Sequence, residues 1–284
     1  MADPIDISAG HWVAMACQLE AAIPKAGNVH RGADFSDMSM YDLILSGQIL
    51  GSVIDAYRGA RVGATIRTAA QQTRLMIGKN SNLGLILLLV PLAKVWQVHR
   101  SITHAALSRL LDELTHDDSR EIYDAIRLAS PGGLGRSGEW DVADEPPGQI
   151  LEAMRYAADR DAVARQWANG FEEVFEWFVP RLIALRAEWE QLDRAVAAAH
   201  VEWIASHGDS LICRKCGPET NEQARRLAAQ ALEQLPRGWD AFESAVGELD
   251  FWMRADGHRR NPGTTADLMA AALFVGLADG RLEV

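Results

Sequence analysis

Lysine occurs only at positions 25, 79, 94 and 215, and all but Lys94 sit in polar or glycine-rich connectors crowded with Asn, His, Arg and Asp. The connector at residues 24–35 offers Lys25, Asn28, His30, Arg31 and Asp34 within a short span. A second, residues 78–84, holds Lys79, Asn80, Ser81 and Asn82 and runs into an apolar helix, whose free amides favour an anion. It is not a Walker A loop, because Thr73 stands where the first glycine belongs and Asn80 follows the lysine. A third, residues 133–141, combines glycines with Arg136, Glu139 and Asp141. The fourth, residues 208–217, carries Asp209, Arg214 and Lys215 between Cys213 and Cys216; a lone C-x-x-C lacks the second pair that a structural zinc needs, so the two cations read as phosphate contacts. The fifth places His258, Arg259, Arg260 and Asn261 ahead of Gly263, Thr264, Thr265 and Asp267, a basic cluster before a helix start.

Each connector alone reads equally well as a solvated loop or a helix cap: Ser81 or Asn82 before the apolar helix, Thr264 with Asp267 before the last one. Their recurrence in one chain predicts a shared polar cleft between helix ends.

The elements that must hold such a cleft are helical. Apolar residues recur at helical spacing from Trp12 to Ile23, with Ser8 as cap and Pro24 as stop. The pattern continues over residues 39–76, with Gly51, Gly59 and Gly63 inside, and over 83–99. Ser101 and Ser119 are the caps expected for the next two helices. Helical spacing resumes over 148–206, with breaks near Asn169-Gly170 and at Pro180, and again over 219–235, 239–255 and 264–278. Residues 207–218 read as loop. No run of alternating residues calls for a sheet, and no repeat is visible. The expectation is an all-α, compact bundle of roughly ten helices, forming one domain over residues 1–284.

Composition narrows the partners. A net charge of −11 over 284 residues disfavours a nucleic-acid backbone as ligand but allows a local basic pocket for a small phosphorylated one. The apolar run at 83–93 is too short to span a bilayer and predicts a buried core helix, so no membrane partner is expected. Three cysteines and an N-terminus without a basic flank point to a reducing, cytoplasmic setting. The oligomeric state stays open, a homodimer included.

The same connectors carry a family likeness. Lys25-Ala26-Gly27-Asn28-Val29-His30-Arg31 with Asp34, then Asn80-Ser81-Asn82-Leu83-Gly84, Asp209-Ser210-Leu211-Ile212 with Arg214-Lys215, and Arg260-Asn261-Pro262-Gly263-Thr264-Thr265-Ala266-Asp267-Leu268 follow one another in order along nearly the whole chain. In these residues it resembles the triphosphoribosyl-dephospho-CoA synthases, which make the prosthetic-group precursor of citrate lyase and malonate decarboxylase. Ala26 stands where many citrate-lyase-type members have proline, and Leu83-Gly84 where they have a His-Lys pair, which marks a divergent branch.

The resemblance implies a pentosyltransferase. ATP is the ribosyl donor, the 2′-hydroxyl of 3′-dephospho-CoA attacks its anomeric carbon, adenine leaves, and the triphosphate stays on the sugar. It further implies that Lys25, Arg31, Lys79, Arg214, Lys215, Arg259 and Arg260 hold phosphates, with Asn80, Ser81, Gly263, Thr264 and Thr265 around them. Asp34, Asp209 and Asp267 would ligate Mg²⁺ or act as catalytic carboxylates. Asn28, Asn82 and Asn261 would orient sugar or base, and His30 and His258 would carry protons. Two alternatives stay open: ribosyl phosphate transfer to another acceptor such as a tetrahydromethanopterin precursor, and a nucleotide-binding protein without catalysis.

Overall fold

The computed structural model describes residues 7–130 and 138–284. The segment 131–137, with Arg136 and most of the glycine-rich connector, lies outside the described residues.

Ser8 caps α1 (Ala9–Ala22) by accepting from the His11 amide, and its hydroxyl donates to Asp55 of α2 (Met40–Ala56) at 2.6 Å. These helices pack closely because their contacts are glycines: a Cβ on Gly10 would overlap the Gly51 carbonyl, and one on Gly47 would overlap Cys17. Ser39 and Asp42 close a capping box at the start of α2. The stretch 39–76 is two helices, broken at Tyr57–Arg61 around Gly59, one of the glycines noted within it, before α3 (Val62–Ile77). Lys94 stabilises that break. Buried in α4 (Leu83–His99), it donates to the carbonyls of Arg58 at 3.3 Å and Ala60 at 2.9 Å, and to that of Tyr57.

The next caps are Thr103 and Thr115, not Ser101 and Ser119. Thr103 starts α5 (His104–Asp112), and Thr115 forms a capping box with Asp118 at α6 (His116–Ala129). The second oxygen of Asp118 accepts from the Gly63 amide at 2.8 Å, which locks α3 onto α6. Beyond the glycine-rich segment come α7 (Ile150–Ala157), α8 (Ala162–Asn169), a π-helical turn (Glu173–Phe178), α9 (Val179–Trp189) and α10 (Leu192–His207). Pro180 does not break the chain. It lies where the π-helical turn runs directly into α9, and the chain turns instead at Glu190. Residues 210–216 are not loop but α11 (Ser210–Cys216), because the Asp209 carboxylate accepts from the amides of Leu211 and Ile212. Then come α12 (Pro218–Leu232), α13 (Trp239–Arg254) and α14 (Gly263–Ala278). The splits and the added short helix raise the expected ten to fourteen α-helices, and among the described residues there is no strand.

Two helices, α4 and α14, are apolar on every side and buried almost throughout, which places them at the centre. α14 touches α1, α4, α8, α9, α10 and α11. The surrounding helices α3, α5, α6, α7 and α8 are amphipathic and turn one stripe inward. Among the described residues no single helix is long and apolar enough to cross a membrane.

Candidate active site

Both core helices begin at the wall of one cavity of about 540 Å³. Leu83 and Gly84 at the start of α4, and Gly263 and Thr264 at the start of α14, line it. Neither helix has an acidic residue in its first turn or a capping side chain at its N-cap residue. Two helix dipoles therefore present their positive ends to the same space, an arrangement suited to a polyanion. The side chains of the connectors hold it in place. Asn80 accepts from the Leu83 amide at 3.1 Å, Ser81 meets Ser46 at 2.5 Å, and Asn82 donates to the Ser46 carbonyl at 3.2 Å. Asn28 donates to Asn261 at 2.6 Å, so the first and last connectors meet, although they are far apart in sequence. The buried Oδ1 atoms of Asn28 and Asn82 have no protein partner.

Asp267, one turn into α14, faces the cavity from within the core. Burial, followed by the charges of Glu20, Asp209 and Asp161, pushes its carboxyl well above the usual carboxylate range, and Arg214 only partly opposes this. Its carboxylate lies against Gly84, and a Cβ at that position would overlap it. Glu20, in the last turns of α1, also lines the cavity and is buried. Lys25 lies 3.1 Å from its Oε1 and donates as well to the carbonyls of Ile23, at 3.1 Å, and Glu20. Lys25 thereby closes the C-terminus of α1 and is not on the cavity wall.

The cations that reach the cavity are Arg160, Arg214 and Lys215. Arg214 is held by an ion pair with Asp161, whose other oxygen caps α8 through the amides of Val163 and Ala164. Burial holds the Lys215 ammonium below the usual lysine range, so a bound anion would raise its affinity for the proton. At the rim, His258 Nδ1 pairs with Asp37 at 2.8 Å, and the imidazole stands edge-on to Phe35. The lining also has an apolar and aromatic part, with Tyr123, Trp140, Met154 and Tyr156. Trp140 holds a left-handed backbone at φ 52°, and its carbonyl accepts from the Tyr123 hydroxyl at 3.0 Å.

Of the residues singled out in the sequence, the cavity brings together Asn28, Asn80, Ser81, Asn82, Asp141, Arg214, Lys215, His258, Asn261, Gly263, Thr264 and Asp267. It leaves the others off its wall. Arg31 lies exposed 3.8 Å from Asp193, and Arg259 pairs with Asp256. Arg260 stacks on Trp252 and donates to its carbonyl. Lys79 pairs with Asp42 at 2.9 Å and bonds the Asp37 carbonyl, which fixes the loop carrying Asp37. Asp34 accepts from the Met40 amide at 2.8 Å, and His30 Nδ1 from the Gly32 amide at 3.1 Å. Asp209 is buried with both oxygens engaged: one caps α11, and the other accepts from the amide and hydroxyl of Thr265 at 2.7 and 2.8 Å. Thr264 and Asp267 accordingly do not form a capping box; Asp209 supplies a cap to α14 from another helix. Asp34, Asp209 and Asp267 do not gather at one point, and among the described residues no three His, Cys, Asp or Glu side chains form a metal-sized cluster.

Sequence reasoning passed over Glu20, Asp37, Asp161 and Arg160, all of which line the cavity. Glu20 carried a signal, since an acid three residues after Cys17 lies on the apolar face of α1. Asp161 reads only as a cap, and Asp37 and Arg160 as surface charges.

Comparison with known proteins agrees with this geometry. The family model for ATP:dephospho-CoA triphosphoribosyl transferases matches residues 7–283. A crystal structure of a proposed triphosphoribosyl-dephospho-CoA synthase from Archaeoglobus fulgidus superposes with a TM-score of 0.63 at 22% identity, covering 84% of this chain and 99% of that one, which speaks for a shared fold. No functionally curated protein matches the sequence. With a family match that takes in every connector and all fourteen helices, the chain belongs to the ATP:dephospho-CoA triphosphoribosyl transferases and is a transferase that moves the triphosphoribosyl group of ATP to dephospho-CoA.

Proposed function

We propose that ATP binds with its triphosphate across the first turns of α4 and α14, close to Arg214, Lys215 and Arg160, and with adenine against the aromatic part near Tyr123 and Trp140. The observation that carries this reading is the convergence of both core helix starts and the protonatable Asp267 on one cavity. Asp267 then donates its proton to adenine as the C1′–N9 bond breaks and its electron pair leaves with N9. His258, oriented by Asp37, accepts the proton of the attacking 2′-hydroxyl as the new C1′–O bond forms at the rim, where dephospho-CoA enters. Asn28 and Asn82 offer their unpaired oxygens to ribose hydroxyls.

The donor set suits Mg²⁺ carried in on the triphosphate, with Asp161 as a single protein ligand, rather than a metal caged by the protein. The ion, when bound, draws charge from the phosphates. Lys25, Lys79 and Asp209 act at one remove, by pinning loops and helix ends around the cavity. The free thiols suit a cytoplasmic setting, and the passage of α14 through the centre suits action of the whole chain as one domain.

The test is incubation of the purified protein with ATP, Mg²⁺ and dephospho-CoA, with adenine followed by chromatography. Acceptor-dependent adenine release that Asp267→Asn abolishes is the expected result. Release that persists in Asp267→Asn overturns the role given to that residue.

A further inference from the structure

Glu20 is a buried carboxylate on the cavity, set on an otherwise apolar helix face and paired with a fully buried lysine. Asp267 aside, the other described cavity acids are engaged elsewhere. Asp161 caps α8 and binds Arg214, Asp37 holds His258 at the exposed rim, and Asp141 accepts from the Ala143 amide. A carboxylate taken out of water without a partner becomes neutral, whereas one that keeps an ammonium at 3.1 Å stays an anion. Lys25 is itself committed. Its ammonium also bonds the carbonyls of Glu20 and Ile23 at the end of α1, so its charge serves Glu20 and cannot swing to a phosphate.

Glu20 and Asp267 act on the same point of the core. Both charges bear on the buried thiol of Cys17, and the charge of Glu20 heads the electrostatic influences on Asp267. The two carboxyl groups thus stand in different surroundings, one paired with a lysine and the other pushed towards its neutral form by burial and by the charge of its neighbour. That division assigns acid and base roles in other sites that cleave a sugar bond.

Resting on the reading of the cavity as the ATP site, we propose that Glu20 is a catalytic residue: the fixed anion that faces the ribose and stabilises the positive charge it gains as adenine departs, with Lys25 as the positioning residue that keeps it charged. No covalent bond to Glu20 is required. The C1′–N9 electron pair leaves with adenine, the proton of Asp267 goes to adenine, and the acceptor oxygen closes on C1′.

The experiment compares wild type, Glu20→Gln and Glu20→Asp in adenine release, in ATP affinity by calorimetry, and in affinity for a cationic iminoribitol 5-phosphate against its neutral ribitol counterpart. Glu20→Gln is expected to bind ATP within about threefold of wild type, to lose kcat by at least about 100-fold, and to lose its preference for the cationic sugar by about tenfold or more. Glu20→Asp keeps the charge and should retain the cation preference while losing rate, which separates charge from packing even where Glu20→Gln is less stable. A Glu20→Gln enzyme with kcat within tenfold of wild type, or an Asp variant that also loses the preference, overturns the proposal. A wild-type protein that releases no adenine from ATP with dephospho-CoA defeats instead the reading on which it rests.

Discussion

The carboxylate of Asp267 occupies the space that a Cβ on Gly84 would fill. The start of α4 and the first turns of α14 therefore approach as closely as they do because residue 84 has no side chain. That contact sets the depth of the acid in the cavity and its distance from whatever lies over the two helix starts.

Gly84→Ala should leave the fold in place and displace Asp267 or the first turn of α4. A shift of about 1 Å at a reacting group costs on the order of 100-fold in rate, so adenine release should fall by about that factor while circular dichroism stays unchanged. An alanine variant with wild-type kcat would remove Asp267 from the chemistry.

Lys215→Met should weaken ATP binding by about 10- to 150-fold, the equivalent of one hydrogen bond to a charged group. Arg31→Ala and Arg259→Ala should change it by less than about twofold, because both side chains are exposed and paired away from the cavity. Titration calorimetry with ATP distinguishes the three.

Asp209→Ala should destabilise the protein rather than only slow it. One carboxylate caps α11 and also receives the Thr265 amide and hydroxyl, so its loss leaves buried donors unpaired at two helix starts. A loss of about 3 kcal/mol or more and a Tm lower by roughly 5–10 °C are expected in thermal denaturation. Asp209→Asn, which keeps an acceptor oxygen, should recover part of it.

Stability should fall with acid through His200. Its imidazole is fully buried with one nitrogen 3.0 Å from the Ala26 carbonyl, and burial, then the charge of Lys25, lower its pKa from 6.5 to about 3. Between those values the unfolded chain binds a proton that the folded chain refuses. Stability is therefore full above about pH 6.5 and is lost progressively as the pH falls towards 3, by about 2 kcal/mol at pH 5 from this group. Urea denaturation from pH 8 to 4 measures the slope, and His200→Asn should flatten it.

The apolar runs at α4 and α14, with no polar face, already required two buried central helices, and the Ser8 cap and the Pro24 stop were legible because such signals act within a few residues. The connectors rich in Asn, Lys and Arg pointed by their chemistry to a shared polar cleft, and Asn28, Asn82, Lys215 and Asp267 do reach one cavity. Which charges face a ligand was decided only by packing. Lys25 and Asp209 look in sequence like site residues, yet burial consumes them, one on the end of α1 and Glu20, the other on two helix starts. Glu20 and Asp161 look like a core anomaly and a cap, yet they line the cavity because α1 and α8 both lie against α14. A side chain's type and local spacing are written in its immediate neighbourhood in the chain. Its partner, its burial and hence its charge are set by residues brought up from more than two hundred positions away, as Asn261 is to Asn28.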